Sequence, residues 1–134
     1  MREILFRGKR KDTGEWVTGH YVTSDNDAYI FEQSEVDGGI DIGGWLDACK
    51  MTEVIPKTVG QFTGLKDKNG KKIFEGDVFK YCNKFMYSVY WDEDALGFYV
   101  SSYKEPRLDV DYLGNFYDNE CEILDNIHDN SELL

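Results

Sequence analysis

The chain has 134 residues, with 26 Asp and Glu against 15 Lys and Arg, a formal net charge of −11. That length fits one domain or two very small ones, and it can bury a core without staples. The charge opposes non-specific binding to nucleic acid, which runs on phosphate neutralisation, and no apolar run approaches the ~20 residues that span a bilayer.

Nine Tyr, eight Phe, three Trp and thirteen Gly favour strands and turns over helices. The opening MREILFRGKRK has too short an apolar stretch for a signal peptide, so the expected compartment is the cytosol. Glu3 to Lys9 and Trp16 to Val22 read as a first hairpin, followed by a loop over Ser24 to Asp27 and a short strand from Ala28 to Phe31. Gly38 to Gly44 is a glycine-rich connection, and Gly44 to Lys50 fits one helical turn. Thr52 to Ile55 is a strand stopped by Pro56.

The central segment, Thr58 to Tyr81, reads as two strands around Asn69-Gly70, with a second glycine corner at Gly76. An Asn-Gly pair between alternating runs predicts a tight hairpin turn with both residues at positive φ. Phe85 to Trp91 and Phe98 to Tyr103 alternate as strands around the turn Asp92 to Gly97, with Pro106 as a break. Cys121 to Leu124 is the last strand, and Asn130-Ser131-Glu132 resembles a helix cap. Short strands at this spacing fit an all-β barrel or sandwich.

The first and central hairpins resemble each other at an offset of 56 residues: Phe6-Arg7-Gly8 matches Phe62-Thr63-Gly64, and Thr13-Gly14 matches Asn69-Gly70. Gly19 and Gly76 then close the two copies as positive-φ corners. Charge is uneven. Residues 50–84 carry eight Lys and Arg against four Asp and Glu, a local +4, whereas residues 85–134 carry two against twelve, a local −10. Such a division fits a solvated acidic surface, or a basic face of one subunit meeting an acidic face of another.

No segment carries a nucleophile–base pair, a zinc spacing or a phosphate loop. Cys49, Cys82 and Cys121 are far apart and read as reduced thiols. Asp109 to Glu120 matches a calcium loop at Asp109, Asp111, Gly114, Phe116 and Glu120, but Leu113 brings no side-chain oxygen to the fifth position, so an acidic connecting loop is expected. Asp92-Glu93-Asp94 reads as a solvated turn, and His20 as a strand histidine beside Trp16 and Tyr21. Lys66, Lys68, Lys71 and Lys72 crowd one hairpin tip; Arg7, Lys9, Arg10 and Lys11 crowd the other. With Trp16, Phe62 and Phe74 between them, these tips would suit single-strand stacking, although lysines also protect strand edges from mispairing.

Three blocks of residues are similar to the YopX family of phage and prophage proteins. They are Arg7 to Gly19, Thr58 to Val78, and the tail Asn126 to Leu134, where Ser131 stands at a position the family usually gives to Pro. The resemblance implies an all-β protein whose C-terminal part, residues 52–134, is a small SH3-like barrel, preceded by a β-hairpin subdomain over residues 1–51. It implies no catalytic, cofactor or metal-binding residue. Sequence and resemblance together lead to the expectation of a non-enzymatic protein–protein interaction module in the host cytoplasm, assembled as a homo-oligomer or bound to a host protein. The alternatives are a nucleic-acid-associated regulator using the basic tips and an acidic mimic of DNA.

Overall fold

The computed structural model describes residues 3–32, 51–102 and 110–129. The connection over 38–44, the helical turn over 44–50, Cys49, Pro106, Asp109 and the cap over 130–132 lie outside them. Every described element is a strand or a short 3₁₀ turn, and the chain divides into two compact units, Glu3–Gln61 and Phe62–Leu134.

In the first unit, β1 (Phe6–Lys9), β2 (Trp16–Ser24), β3 (Asp27–Glu32) and β4 (Met51–Val54) form an antiparallel sheet in the order β4-β3-β2-β1. The first residues of β5 (Gly60–Lys66) extend it, with Phe6 opposite Gln61 and Arg7 opposite Gly60. Alternation turns Val17, Ala28, Ile30 and Val54 to one side, where Phe6, Tyr21 and Val59 pack against them. A 3₁₀ turn over Pro56–Thr58 follows β4. There the Thr58 hydroxyl accepts the Lys9 N–H at 2.9 Å and donates to the Ile55 carbonyl at 2.6 Å. Gly19 is no corner. It lies inside β2, opposite Phe6 on one side and Glu32 on the other.

The second unit holds the rest of β5 with β6 (Lys72–Phe74), then β7 (Asp77–Tyr81), β8 (Phe85–Asp92), β9 (Gly97–Ser102), β10 (Val110–Tyr112) and β11 (Cys121–Asn126). The last five pair antiparallel in the order β10-β9-β8-β7-β11. The sheet is open, because β10 and β11 are its outer strands and do not pair with each other. The SH3-like closure expected from the resemblance is therefore not built. Instead, 3₁₀ turns at Leu113–Asn115 and Asp118–Glu120 run beside the sheet and deliver Leu113 and Phe116 to its core. Phe116 meets Phe79 at 5.7 Å, Tyr81 at 4.6 Å and Tyr87 at 5.1 Å, all edge-on. Phe79 is completely buried, and a ring taken so far from water contributes about 2–3 kcal/mol.

The central turn also differs from expectation. Asn69 is absent from the non-glycine residues at positive φ, and Gly70 alone takes that region, at φ +79. Gly70 N–H bonds to the Asp67 carbonyl at 3.0 Å, and Asp67 N–H to the Lys71 carbonyl at 2.8 Å. This is a three-residue loop ending in a left-handed glycine, rather than a two-residue turn. Its cause is Asp67, whose Oδ1 accepts the N–H groups of Asn69 and Lys71, both at 2.9 Å. The first hairpin loop is one residue longer, closing from Arg10 N–H to the Glu15 carbonyl at 2.8 Å. The two copies of the sequence repeat thus share a left-handed glycine but not a loop.

Gly76 is the corner the sequence implies. It is buried at φ +93, donates to the Val89 carbonyl at 2.9 Å and accepts from Ile127 N–H at 2.9 Å. Next to it, Asp77 Oδ2 accepts the Phe74 N–H at 2.8 Å. A Cβ at Gly76 would meet the His128 ring at only ordinary van der Waals distance, 3.4 Å, so backbone strain sets the cost of replacing it. Gly76→Val is expected to lose about 1–3 kcal/mol. Urea unfolding reads this directly, and an unshifted midpoint would contradict the corner's role.

Candidate functional site

The turn after β8 positions a surface feature that no motif announces. Asp92 Oδ1 accepts the N–H groups of Asp94 and Ala95, both at 3.0 Å, and so closes the loop between Asp92 and Gly97. The register that follows places Tyr90 opposite Tyr99, and β10 then places Tyr112 opposite Tyr99. Period-2 alternation puts all three on one face. Their rings form a row across three strands, with centroids 6.4 Å apart from Tyr90 to Tyr99 and 5.5 Å from Tyr99 to Tyr112. Ser88 and Ser101 face each other at 3.4 Å two pairs further along.

Of the two glycines beside the row, Gly114 is the one that makes room. A Cβ at Gly97 would touch the rings of both Tyr99 and Tyr112 at 3.5 Å, and one at Gly114 would collide with the Tyr112 ring. Tyr112 nonetheless remains 48% exposed. Burial, then the neighbouring Asp92 charge and Tyr99, push the Tyr90 phenol above its usual range. Tyr112 N–H is taken up by Asp111 Oδ1 at 2.7 Å, which also accepts from Asn115 Nδ2 at 3.0 Å. That N–H is therefore not offered to an added strand.

Leu96 stands at the tip of the same hairpin, 76% exposed. It sits at φ +54, a region costly for a branched side chain. Relieving this strain with Leu96→Gly is expected to raise stability by about 0.5–1 kcal/mol after the added freedom of the unfolded chain is subtracted. Equal or lower stability in thermal and urea unfolding would show that the leucine is held by contacts of its own.

The basic tips are engaged locally. Arg10 forms a two-pronged pair with Asp12, at 3.0 and 3.1 Å. This hydrogen-bonded pair raises the Arg10 guanidinium and lowers the Asp12 carboxyl from their ordinary values. Lys11 reaches Glu53 at 3.4 Å, and Arg7 lies 4.6 Å over the Trp16 ring. At the other tip, Lys68 pairs with Glu122 at 3.3 Å and Lys72 lies over Phe62 at 5.3 Å. Phe62 and Phe74 are buried, at 5% and 6% exposure, and pack on each other at 5.7 Å. The rings imagined as a stacking platform are thus core residues, or, at Trp16, already covered by a cation.

A family model described as YopX protein matches residues 5–134. The chain belongs to the YopX family. Its fold is similar to the crystal structure of protein EF1440 from Enterococcus faecalis, with a TM-score of 0.58 and 23% identity, covering 100% of this chain and 99% of that one. A comparison with curated proteins finds no match.

The other candidates in this YopX chain have structural duties. Of the calcium-like loop, Val110 to Tyr112 is β10, Leu113 is a core residue, and half-buried Phe116 packs against that core. Among the described residues, no three His, Cys, Asp or Glu side chains gather as a metal site. Cys121 is buried, and burial followed by the nearby Asp118 and Asp67 charges pushes its thiol up to about 12. Its Sγ donates to the Tyr117 carbonyl at 3.4 Å. Such a thiol is a poor nucleophile at neutral pH. Cys82 is exposed in the turn after β7, and His20 is exposed on β2 opposite Phe31. No described helix is long and apolar enough to cross a membrane.

Sequence reasoning missed the tyrosine row. The equal spacing of Tyr90 and Tyr99 from the ends of the Asp92–Gly97 turn was a usable signal for one pair. The third ring depends on β10, a three-residue strand that carries no periodicity of its own.

Proposed function

We propose that this YopX-family protein, of phage or prophage origin, acts in the host cytoplasm by protein–protein contact rather than by catalysis. The contact surface is the β8–β9–β10 face. The observation that carries this reading is the row Tyr90–Tyr99–Tyr112, with Tyr112 and the hairpin-tip Leu96 exposed. Aromatic side chains offer large contact area with little rotamer entropy to lose, and they dominate binding energy at interfaces. A leucine kept at positive φ on the surface is a local stability cost that a contact role explains.

The basic tips support a nucleic-acid reading less well, because Arg10, Lys11 and Lys68 are paired with carboxylates of their own chain. The Lys68–Glu122 pair also uses, inside one chain, part of the charge complementarity that a head-to-tail homo-oligomer would need.

A photo-crosslinking residue placed at Tyr112 in host cells tests the surface, with exposed Thr23 on β2 as the control position. Discrete adducts at 112 that are missing at 23 are the expected result, and their mass tells a second copy of the chain from another protein. Indistinguishable adduct patterns at the two positions would sink the reading.

A further inference from the structure

We propose that the Tyr90–Tyr99–Tyr112 row receives a basic, Arg- or Lys-rich extended segment of a partner protein, whose cations stack on the rings while surrounding carboxylates hold it. This rests on the contact-surface reading above and names the partner's chemistry.

Strands β8, β9 and β10 and the turn between the first two contain no Lys or Arg, and neither does any other described residue after Lys84. The same strands and turn carry Asp92, Glu93, Asp94 and Asp111. The rings themselves are uncharged, but each presents a negative face that attracts a cation. A row with centroids 6.4 and 5.5 Å apart offers successive stacking positions across the sheet. Asp92 lies two residues along β8 from Tyr90, on the same face, whereas Asp111, adjacent to Tyr112 in β10, alternates to the other face.

The same features disfavour other occupants. A single-stranded nucleic acid could stack on tyrosines, but among the described residues of these strands its phosphates would meet carboxylates and no Lys or Arg. A second copy docking by this same face would bring equally acidic residues and would be repelled. Strand addition is hindered at Tyr112, whose N–H is already bonded to Asp111 at 2.7 Å. A basic segment meets none of these objections, and guanidinium groups stack well on aromatic faces. The chain shows that geometry elsewhere, in Arg7 over Trp16 at 4.6 Å.

The test uses the whole chain and defined probes: a short peptide of alternating Arg and Ser, its Gln–Ser counterpart, and oligothymidylate. Binding is followed by fluorescence anisotropy at low and high salt. The variants are Tyr112→Ser, the Tyr99→Ser/Tyr112→Ser double change and Tyr112→Phe, all neutral in charge, with folding checked by circular dichroism. The Arg peptide is expected to bind, to weaken with salt, and to lose about tenfold in affinity with the double change, while Tyr112→Phe retains binding because the ring remains. The Gln peptide and oligothymidylate are expected to bind weakly or not at all.

Equal Arg-peptide affinity in wild type and the folded double variant would overturn the proposal, because the attraction would then be diffuse charge. Ring-dependent binding of oligothymidylate stronger than that of the Arg peptide would also overturn it, in favour of nucleic acid. Should the double variant unfold, the comparison of Tyr112→Ser with Tyr112→Phe decides alone, since Tyr112 is half exposed. Crosslinking at Tyr112 without Arg-peptide binding would leave the contact surface standing and remove the basic partner; loss of both would remove the surface as well.

Discussion

Replacing Gly19 by alanine is expected to disrupt the first unit at a cost of about 3 kcal/mol or more, at the upper end of what overpacking does. Gly19 lies in the middle of the sheet, paired with Phe6 on β1 and Glu32 on β3. A Cβ there would fall on the Phe31 carbonyl oxygen and press on the Glu32 backbone. Both obstacles are main chain, so no side-chain rotation relieves them. The ladders to β1 and β3 must spread, and the packing of Val17, Ala28 and Ile30 loosens with them. Urea unfolding with amide-resolved hydrogen exchange checks this. Protection should fall first over β2 and β3, and an unchanged midpoint with intact protection would refute the close approach.

Asp67→Asn is expected to cost about 2–3 kcal/mol and to flatten the acid limb of the stability profile. The carboxylate is buried, and its oxygens accept three backbone N–H groups: Asn69 and Lys71 at 2.9 Å, and Ile123 of β11 at 3.1 Å. Asparagine can keep one acceptor but must turn an NH₂ group toward another N–H. Burial alone would raise the Asp67 carboxyl; the N–H groups of Ile123, Lys71 and Asn69, aided by the Lys71 charge, outweigh it and hold it below its ordinary value.

The sign follows from that depression. The unfolded carboxyl titrates near its reference value of about 3.9. The native carboxylate's contribution is therefore complete above about pH 5 and is lost as the pH falls through about 4 toward the depressed native value. Wild-type stability should drop in that window, and the gap to Asp67→Asn should narrow there. A gap that stays constant from neutral pH through the acid limb would mean that Asp67 does not carry this titration.

These two positions also divide what was legible from what was not. Gly19 is visible as a glycine in a strand-like run, but its reason, the Phe31 carbonyl, belongs to another strand. Gly76 was read correctly because a positive-φ corner leaves a local mark, a glycine between two strand-like runs. Asp67 went unrecognised because one of its three partners, Ile123, lies 56 residues away. The same carboxylate changes the turn type from the one Asn69-Gly70 implies when read alone. Leu113 and Phe116, which spoil the calcium pattern as ligands, are explained once they are found in the core.

By itself, the sequence determined that this protein is all-β, where most strands run, and that it belongs to the YopX family. Alternation, turn residues and family blocks are properties of neighbouring residues and survive without knowledge of the fold. Only the tertiary structure decided that the second sheet stays open, that β10 exists, that the aromatics of the central hairpin are buried, and that Tyr90, Tyr99 and Tyr112 form one row. The physical reason is that a period of two states which residues share a face, but not which strand lies beside which. Pairing is chosen by the joint burial of distant side chains, here Phe79, Tyr87, Val100, Leu113 and Phe116, and the surface row is a consequence of that choice.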